Sequence, residues 1–246
     1  MATADAGRVA FFPRTNSLYP YRNRMGMIAA AEFVAIFDDF VAPVSSNTPN
    51  GWSSSVADAG ASVTTNTTAA IGVNGVLTIT SDGASEGAAF WGAKSLQLTA
   101  GKNCFVECRV RCDNVADNAF QFGLSALTAT TNPEDVWTTV AADLVAFGIL
   151  DGAATVKMLA DKSNSGSTAE TGTRSMVIDT WHILAIFYNG LNLLGYVDGK
   201  LALTWAQAAA TIPTGVALAP FVGALNGNGA GDRNSFVDYF RVVMER

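Results

Sequence analysis

The sequence predicts an all-β chain: a two-sheet antiparallel jelly-roll sandwich with an extended N-terminal arm. Three observations predict it. First, "WHILAIFYNGLNLLGYVDGKLALTW" (181–205) is a ribbon. Trp181, Ile183, Ala185 and Phe187 fall on one face of its first strand, and His182, Leu184, Ile186 and Tyr188 on the other. Asn189-Gly190 and then Asp198-Gly199 supply the positive-φ residues that tight hairpins need, so three strands form a meander. Second, short apolar stretches separated by turn residues recur from Phe37 to the end. Third, 246 residues with 49% hydrophobic and only 15% charged side chains suffice for one large β domain that buries roughly three quarters of its unfolded surface.

The elements follow in order. Residues 1–26, "MATADAGRVAFFPRTNSLYPYRNRMG", hold four arginines against one aspartate, a charge of +3 in a chain of net charge −6, which leaves −9 for the rest. Pro13 and Pro20 break any periodicity, and Arg8, Phe11, Phe12, Arg14, Tyr19, Tyr21, Arg22 and Arg24 are groups that need a surface to lie on. The expectation is an extended arm over 1–36, with a short helix in "MIAAAEFVAIF", followed by one domain over 37–246. Strands are expected in "FDDFVA", "GVLTIT", "AAFWG", "KSLQL", "CFVECRVRC", "AFQFGLSAL", "DLVAFGIL", "ATVKMLA", the meander, "GVALAPFVGA" and "SFVDYFRVV". "NPEDVWTTVAA" has a helix start: Asn132 as cap, Pro133 in the first turn, and Glu134 and Asp135 matched to the dipole. "DKSNSGSTAETGT" and "LNGNGAGDRN" lack apolar anchors and are expected as exposed loops.

In "NCFVECRVRCD" the three cysteines alternate with Phe105, Glu107, Arg109 and Arg111. A strand puts Cys104, Cys108 and Cys112 on one face with Val106 and Val110. Neighbouring cysteines are then about 13 Å apart at ~3.3 Å per residue, beyond disulfide reach, and serve as small buried hydrophobes. No stretch has the order of a secretory signal or the ~20 apolar residues of a membrane span, so synthesis and folding in a cytosol are expected. The acidic net charge argues against a nucleic-acid binder.

The ribbon "WHILAIFYNGLNLLGYVDGK" resembles the Trp-His, Tyr-x-x-Gly and Tyr-x-Asp-Gly-x ribbon of laminin-G-like and concanavalin A-like lectin/glucanase jelly rolls. "SFVDYFRVV" is similar to the final strand that such domains pair with their first, here "FDDFVA". The resemblance implies two curved antiparallel sheets of a dozen or more strands over 37–246. Fold alone leaves function open.

Glycosidases on this scaffold carry Glu-x-Asp-x-x-Glu on one strand, with carboxylates about 5 Å apart for retaining hydrolysis. None of the six glutamates, Glu32, Glu86, Glu107, Glu134, Glu170 and Glu245, has another acid at that spacing. His182 is the sole histidine and sits at a scaffold position of the ribbon. "GLSAL" around Ser125 fails as a nucleophile elbow because Leu127 replaces the second glycine and no helix follows. "GNGAGD" (227–232) has its glycines out of register for a calcium repeat. The expectation is therefore no enzyme, no catalytic residue and no metal site. Asp151, Asp161, Asp179, Asp198 and Asp232 stand where a rim calcium could be held, but turn chemistry accounts for each of them, and no cofactor is assigned.

The chain as a whole resembles phage-encoded virion proteins, being a jelly roll rich in Ala, Gly, Thr and Val, without disulfides, that carries a cationic aromatic arm before an acidic body. The expected function is a capsid decoration or cement protein of a tailed bacteriophage, made in the host cytoplasm and sited on the capsid exterior. Its partner would be the major capsid protein, bound through the arm by a homo-oligomer, trimer or dimer, with no nucleic-acid or membrane partner. The alternative is a glycan-binding module of a phage fibre or attachment protein, with Trp91, Trp137 and Trp205 as stacking candidates.

Overall fold

The computed structural model describes residues 33–38, 40, 53–56, 62–66, 75–81, 83, 86–92, 95–126, 143–150, 152–162, 168–206, 211–227 and 231–245. Among them are fifteen strands. These are β1 (Phe33–Asp38), β2 (Ser53–Val56), β3 (Ser62–Asn66), β4 (Val76–Ser81), β5 (Glu86–Trp91), β6 (Cys104–Cys112), β7 (Asn118–Ser125) and β8 (Leu144–Leu150). They continue with β9 (Ala153–Asp161), β10 (Thr168–Ser175), β11 (His182–Tyr188), β12 (Leu193–Val197), β13 (Lys200–Trp205), β14 (Ala219–Asn226) and β15 (Arg233–Glu245). Sheet one runs β13-β12-β11-β6-β15-β4-β3, with β1 also paired to β15; sheet two runs β10-β9-β8-β7-β14-β5-β2. Every strand pairing is antiparallel.

The alternation of β6 becomes the inner face of sheet one. Cys104, Val106, Cys108, Val110 and Cys112 are all buried in the shared core with Leu184, Ile186 and Tyr188 of β11. The cysteines are free thiols. Burial raises all three, Cys112 to about 12 against a weaker opposing hydrogen bond from Ser235, so they remain protonated hydrophobes. Sheet two answers with Phe120, Phe122, Val145, Phe147 and Val222. Phe122 joins the layers edge-on, 6.3 Å from Phe147 in its own sheet and 6.3 Å from Phe240 of sheet one. The void among Leu98, Cys104, Val106, Leu124, Ile186 and Tyr188 is about 10 Å³, the lower limit for one water, and its apolar lining offers a water no partners.

Several local expectations change. The described part of "MIAAAEFVAIF" is not helix: Phe33–Phe37 lies in β1, which begins ahead of residue 37 and pairs with β15 from Phe33↔Glu245 to Asp38↔Phe240. Long-range pairing with an apolar final strand overrides a weak helical preference. The Asp198-Gly199 turn has both φ values positive, 50° and 75°, and closes directly on the Val197↔Lys200 pair. Asn189-Gly190 is not a two-residue turn. Four residues connect Tyr188 to Leu193, with Asn189 Oδ1 accepting from the amides of Leu191 (3.0 Å) and Asn192 (2.7 Å). Gly190 (φ 88°) is required there because a Cβ would lie 2.6 Å from the Gly101 Cα. The described residues of "KSLQL", 95–98, form the bridges Leu96↔Leu218 and Leu98↔Thr214 in place of a strand.

"DKSNSGSTAETGT" is not wholly loop, since Thr168–Thr173 opens β10 at the edge of sheet two. That strand has no apolar anchor and is held by pairing to β9 and by bonds to β13: Thr173 Oγ1 donates to Ala202 O (3.0 Å) and Arg174 Nε to Leu201 O (3.2 Å). Both sheet edges are thereby blunted. The helix expected at 132–142 lies outside the described residues.

Candidate functional site

The site is built on the outer face of sheet one, where β6, β11 and β15 lie side by side. On β6 the outward positions are Phe105, Glu107, Arg109 and Arg111, opposite the buried cysteines. The β11 register sets Ile183 beside Arg109 and Phe187 beside Phe105. On β15 a bulge between Val237 and Tyr239 inserts Asp238 as an extra residue, so Tyr239 faces Arg109 while Val237 and Phe240 keep the inner face.

One half of this face is closed. Phe105, Ala185, Phe187, Tyr196 and Val243 form a buried cluster. Within that half, Glu107 is fully buried and ion-paired with Arg241, itself 6% exposed at its side chain. Tyr239 Oη donates to Glu107 Oε1 (2.8 Å), and the Arg241 guanidinium stands 5.5 Å from the Phe105 ring centre.

The other half is partly open and consists of stacked cations and rings. Trp181 lies over two guanidinium groups, Arg109 at 4.8 Å and Arg111 at 5.6 Å. Arg111 also stands 4.5 Å from the Phe236 ring, so it is held between two aromatic faces. Arg109 pairs with the bulge residue Asp238 at 2.5 Å. Arg111 makes no ion pair among the described residues, and its Nε is buried without a hydrogen-bond partner. Phe37 of β1, 63% exposed, extends the aromatic surface at 6.0 Å from Tyr239.

His182 fixes the segment that presents Trp181. Its Nε2 accepts from the Val177 amide (2.9 Å), which leaves the proton on Nδ1 to donate to Asp198 Oδ2 (2.8 Å). With Nε2 so occupied, the imidazole is a structural clamp. Burial pushes the Asp198 carboxyl up, but the bonds from His182 and Ile183, with the nearby charge of Lys200, outweigh it and hold the group below its ordinary value.

The arm residues Arg8, Phe11, Phe12, Arg14, Tyr19, Tyr21, Arg22 and Arg24 lie outside the described residues, as do Trp137, Asp151 and the Trp91 side chain. Trp205 is no surface platform: β13 points it into the main core. Of the four acids at turns that are described, Asp161 is buried on β9, Asp198 is spent on the clamp, and Asp179 and Asp232 are exposed. No group of three metal-binding side chains occurs among the described residues. The Trp181–arginine stack was missed because its members come from β6, β15 and the residue just ahead of β11, whose register is invisible locally. The one signal was Arg109 and Arg111 sharing the outer side of β6.

On the outer face of sheet two the central positions of β7, β8 and β14 are Gln121, Gly123, Leu144, Ala146, Gly148, Phe221 and Gly223. Leu144, Ala146 and Phe221 form a buried cluster with Ala89 and Leu159. The strands there bear no carboxylate pair.

No protein-family model and no curated protein matches the sequence. Solved structures do match in shape. A protein of unknown function from Shewanella oneidensis MR-1 superposes with a TM-score of 0.58 at 14% identity, covering 92% of this chain and 94% of that one. A glycoside hydrolase family 16 endo-glucanase from Bacteroides ovatus gives 0.53 at 11% identity, covering 84% and 99%. The carbohydrate recognition domain of Emp47p gives 0.53 at 13% identity, covering 87% and 98%. The fold is the concanavalin A-like jelly roll. The endo-glucanase overturns the expectation that the chain is no enzyme: the same fold serves a glycoside hydrolase, and the expectation is withdrawn.

Proposed function

We propose that this chain is a structural virion protein, a decoration or cement protein that binds the major capsid protein of a tailed bacteriophage on the capsid exterior. The observation that carries the reading is the guanidinium–aromatic stack of Arg109, Arg111, Trp181 and Phe236 on a stiff sheet. Arginine and tryptophan are the residue types that dominate protein–protein binding energy, and a side chain already held between rings loses little entropy on docking. The cationic, aromatic composition of residues 1–26 supplies a second contact of the same chemistry. Two linked contacts, multiplied in a homo-oligomeric trimer or dimer, bind by avidity.

The test is occupancy on purified capsids. Deleting residues 1–26 abolishes binding while the β-sheet circular dichroism and melting temperature stay unchanged, and Trp181→Ala weakens binding at least tenfold. Full occupancy by both variants refutes the proposal.

A second reading, a glycan-binding module of a phage fibre or attachment protein, is favoured by the partly open Trp181 and by the lectin-type neighbour. A glycan array run with and without chelator separates the two. A selective signal lost on Trp181→Ala supports the second reading, and a blank array supports the first.

A further inference from the structure

Between β10 and the Asp198-Gly199 turn lies a polar groove of about 310 Å³ lined by Thr173, Arg174, Ser175, Val197, Asp198 and Lys200. It is separate from the outer face of sheet one and arises from an irregularity. Between the pairs Thr171↔Lys157 and Ser175↔Thr155, β10 takes four residue steps where β9 takes two. The surplus residues bow toward β13, where Thr173 and Arg174 fasten to the carbonyls of Ala202 and Leu201. Bulges of this kind re-aim side chains. Here the result is a groove whose lining includes Arg174 from β10 and Lys200 from the start of β13.

The donors can be accounted for atom by atom. Arg174 spends Nε on Leu201 O, which leaves both terminal nitrogens without a partner among the described residues. Lys200 Nζ makes no hydrogen bond or ion pair among them. Asp198, the one carboxylate in the lining, has both oxygens engaged from behind: Oδ1 accepts from the Ile183 amide (2.9 Å) and Oδ2 from His182 Nδ1 (2.8 Å). Thr173 spends its proton on Ala202 O. Ser175 Oγ, which lines the groove, and Thr155 Oγ1 share one bond at 3.1 Å, and with Thr155 as its donor the Ser175 proton is left for a ligand.

The groove lining therefore holds a guanidinium, an ammonium and a hydroxyl, with two cations against one anion. A guanidinium, an ammonium and a hydroxyl pair with more acceptor oxygens than a carboxylate offers, and a tetrahedral sulfate or phosphate presents three or four where a carboxylate presents two. The volume lies at the lower end of the ~300–1,000 Å³ of small-molecule sites, which leaves room for a sugar-sized body. We infer that the groove binds a sulfate- or phosphate-type oxyanion, the sulfate ester of a glycan or the free ion, through Arg174, Lys200 and the Ser175–Thr155 hydroxyl pair.

The experiment is an amide-resolved NMR titration of the full chain with sodium sulfate, galactose 6-sulfate, galactose and sodium acetate at constant ionic strength. The expected result is saturable shifts for 173–175 and 197–200 with the two sulfated probes and none with galactose or acetate. A tighter constant for galactose 6-sulfate than for sulfate identifies a glycan ester as the source, and equal constants identify the free ion. Arg174→Gln and Lys200→Gln each weaken binding about tenfold or more; Lys200→Gln removes no bond among the described residues, so its spectrum stays folded and it carries the test independently of the Arg174–Leu201 bond. The inference is overturned if shifts are linear and spread over all basic residues, if acetate matches sulfate, or if both variants bind as the native chain does. The titration does not involve capsids, so its failure leaves the proposed function untouched.

Discussion

The ion pair of Glu107 and Arg241 is the most exacting test of the outer face of sheet one. Glu107 is fully buried and the Arg241 side chain is 6% exposed, so solvent screening does little to weaken their attraction. Removing one partner breaks a buried ion pair, which costs about 3–5 kcal/mol. Glu107→Gln keeps the shape and the acceptor for Tyr239 Oη, isolating the loss of charge. Arg241→Met keeps the length of the stem. Each single variant should lose about 3–5 kcal/mol, a fall in Tm of roughly 6–20 °C for a domain of this size. The double variant removes both charges and retains the Tyr239 bond, so it should lose no more than about 2 kcal/mol, giving a coupling energy of about 4 kcal/mol or more. Urea unfolding of the four proteins measures the cycle. Additive losses, or single variants within about 1 kcal/mol of native, would falsify the burial argument.

Gly148→Ala should cost about 3 kcal/mol, the upper end for overpacking, because the new Cβ would sit 1.9 Å from Phe120 O, a backbone atom that cannot swing aside; a melt within about 2 °C of native contradicts this. The three thiols should resist iodoacetamide at pH 8 in the native protein and all react in denaturant, since burial raises every one of them; mass spectrometry showing labelled native protein opposes it. The folded Asp198 carboxyl lies below its unfolded value of 3.8, so its contribution is fully present above that pH and is lost as pH falls through the folded value. Asp198→Asn should therefore flatten the stability profile below about pH 4, while equal acid sensitivity in both proteins would refute the assignment.

Legibility in the sequence followed the kind of contact each element makes. Strands anchored by an apolar face, such as β6, β11 and β15, were readable because burial imposes a two-residue period on composition. Asp198-Gly199 was readable because two successive positive φ values restrict residue choice to a short set. Strands β2, β3 and β10 were not, since their sequences "SSSV", "SVTTN" and "TAETGTRS" are mostly polar and a strand held by main-chain pairing at a sheet edge leaves no such trace. Trp205 illustrates a further limit. Its strand, "KLALTW", shows which residues share a face but not which face meets the second sheet.

The same reasoning explains why the Arg109–Trp181–Arg111 stack escaped a local reading although each member was visible. Trp181 stands 70 or more positions from both arginines, and only the β6–β11 register brings it over them. That register is set from the inside, by Cys108 opposite Leu184 and Val106 opposite Ile186, so a one-residue slip would bury the guanidinium groups and expose the thiols. The packing of the core thus dictates where the outer cations stand. His182 adds the last constraint by tying the Val177 amide to the Asp198 turn, which holds Trp181 at the head of its strand. A face made this way is pre-organised, because its register is one that the hydrophobic core already enforces, which is the property the proposed docking role requires.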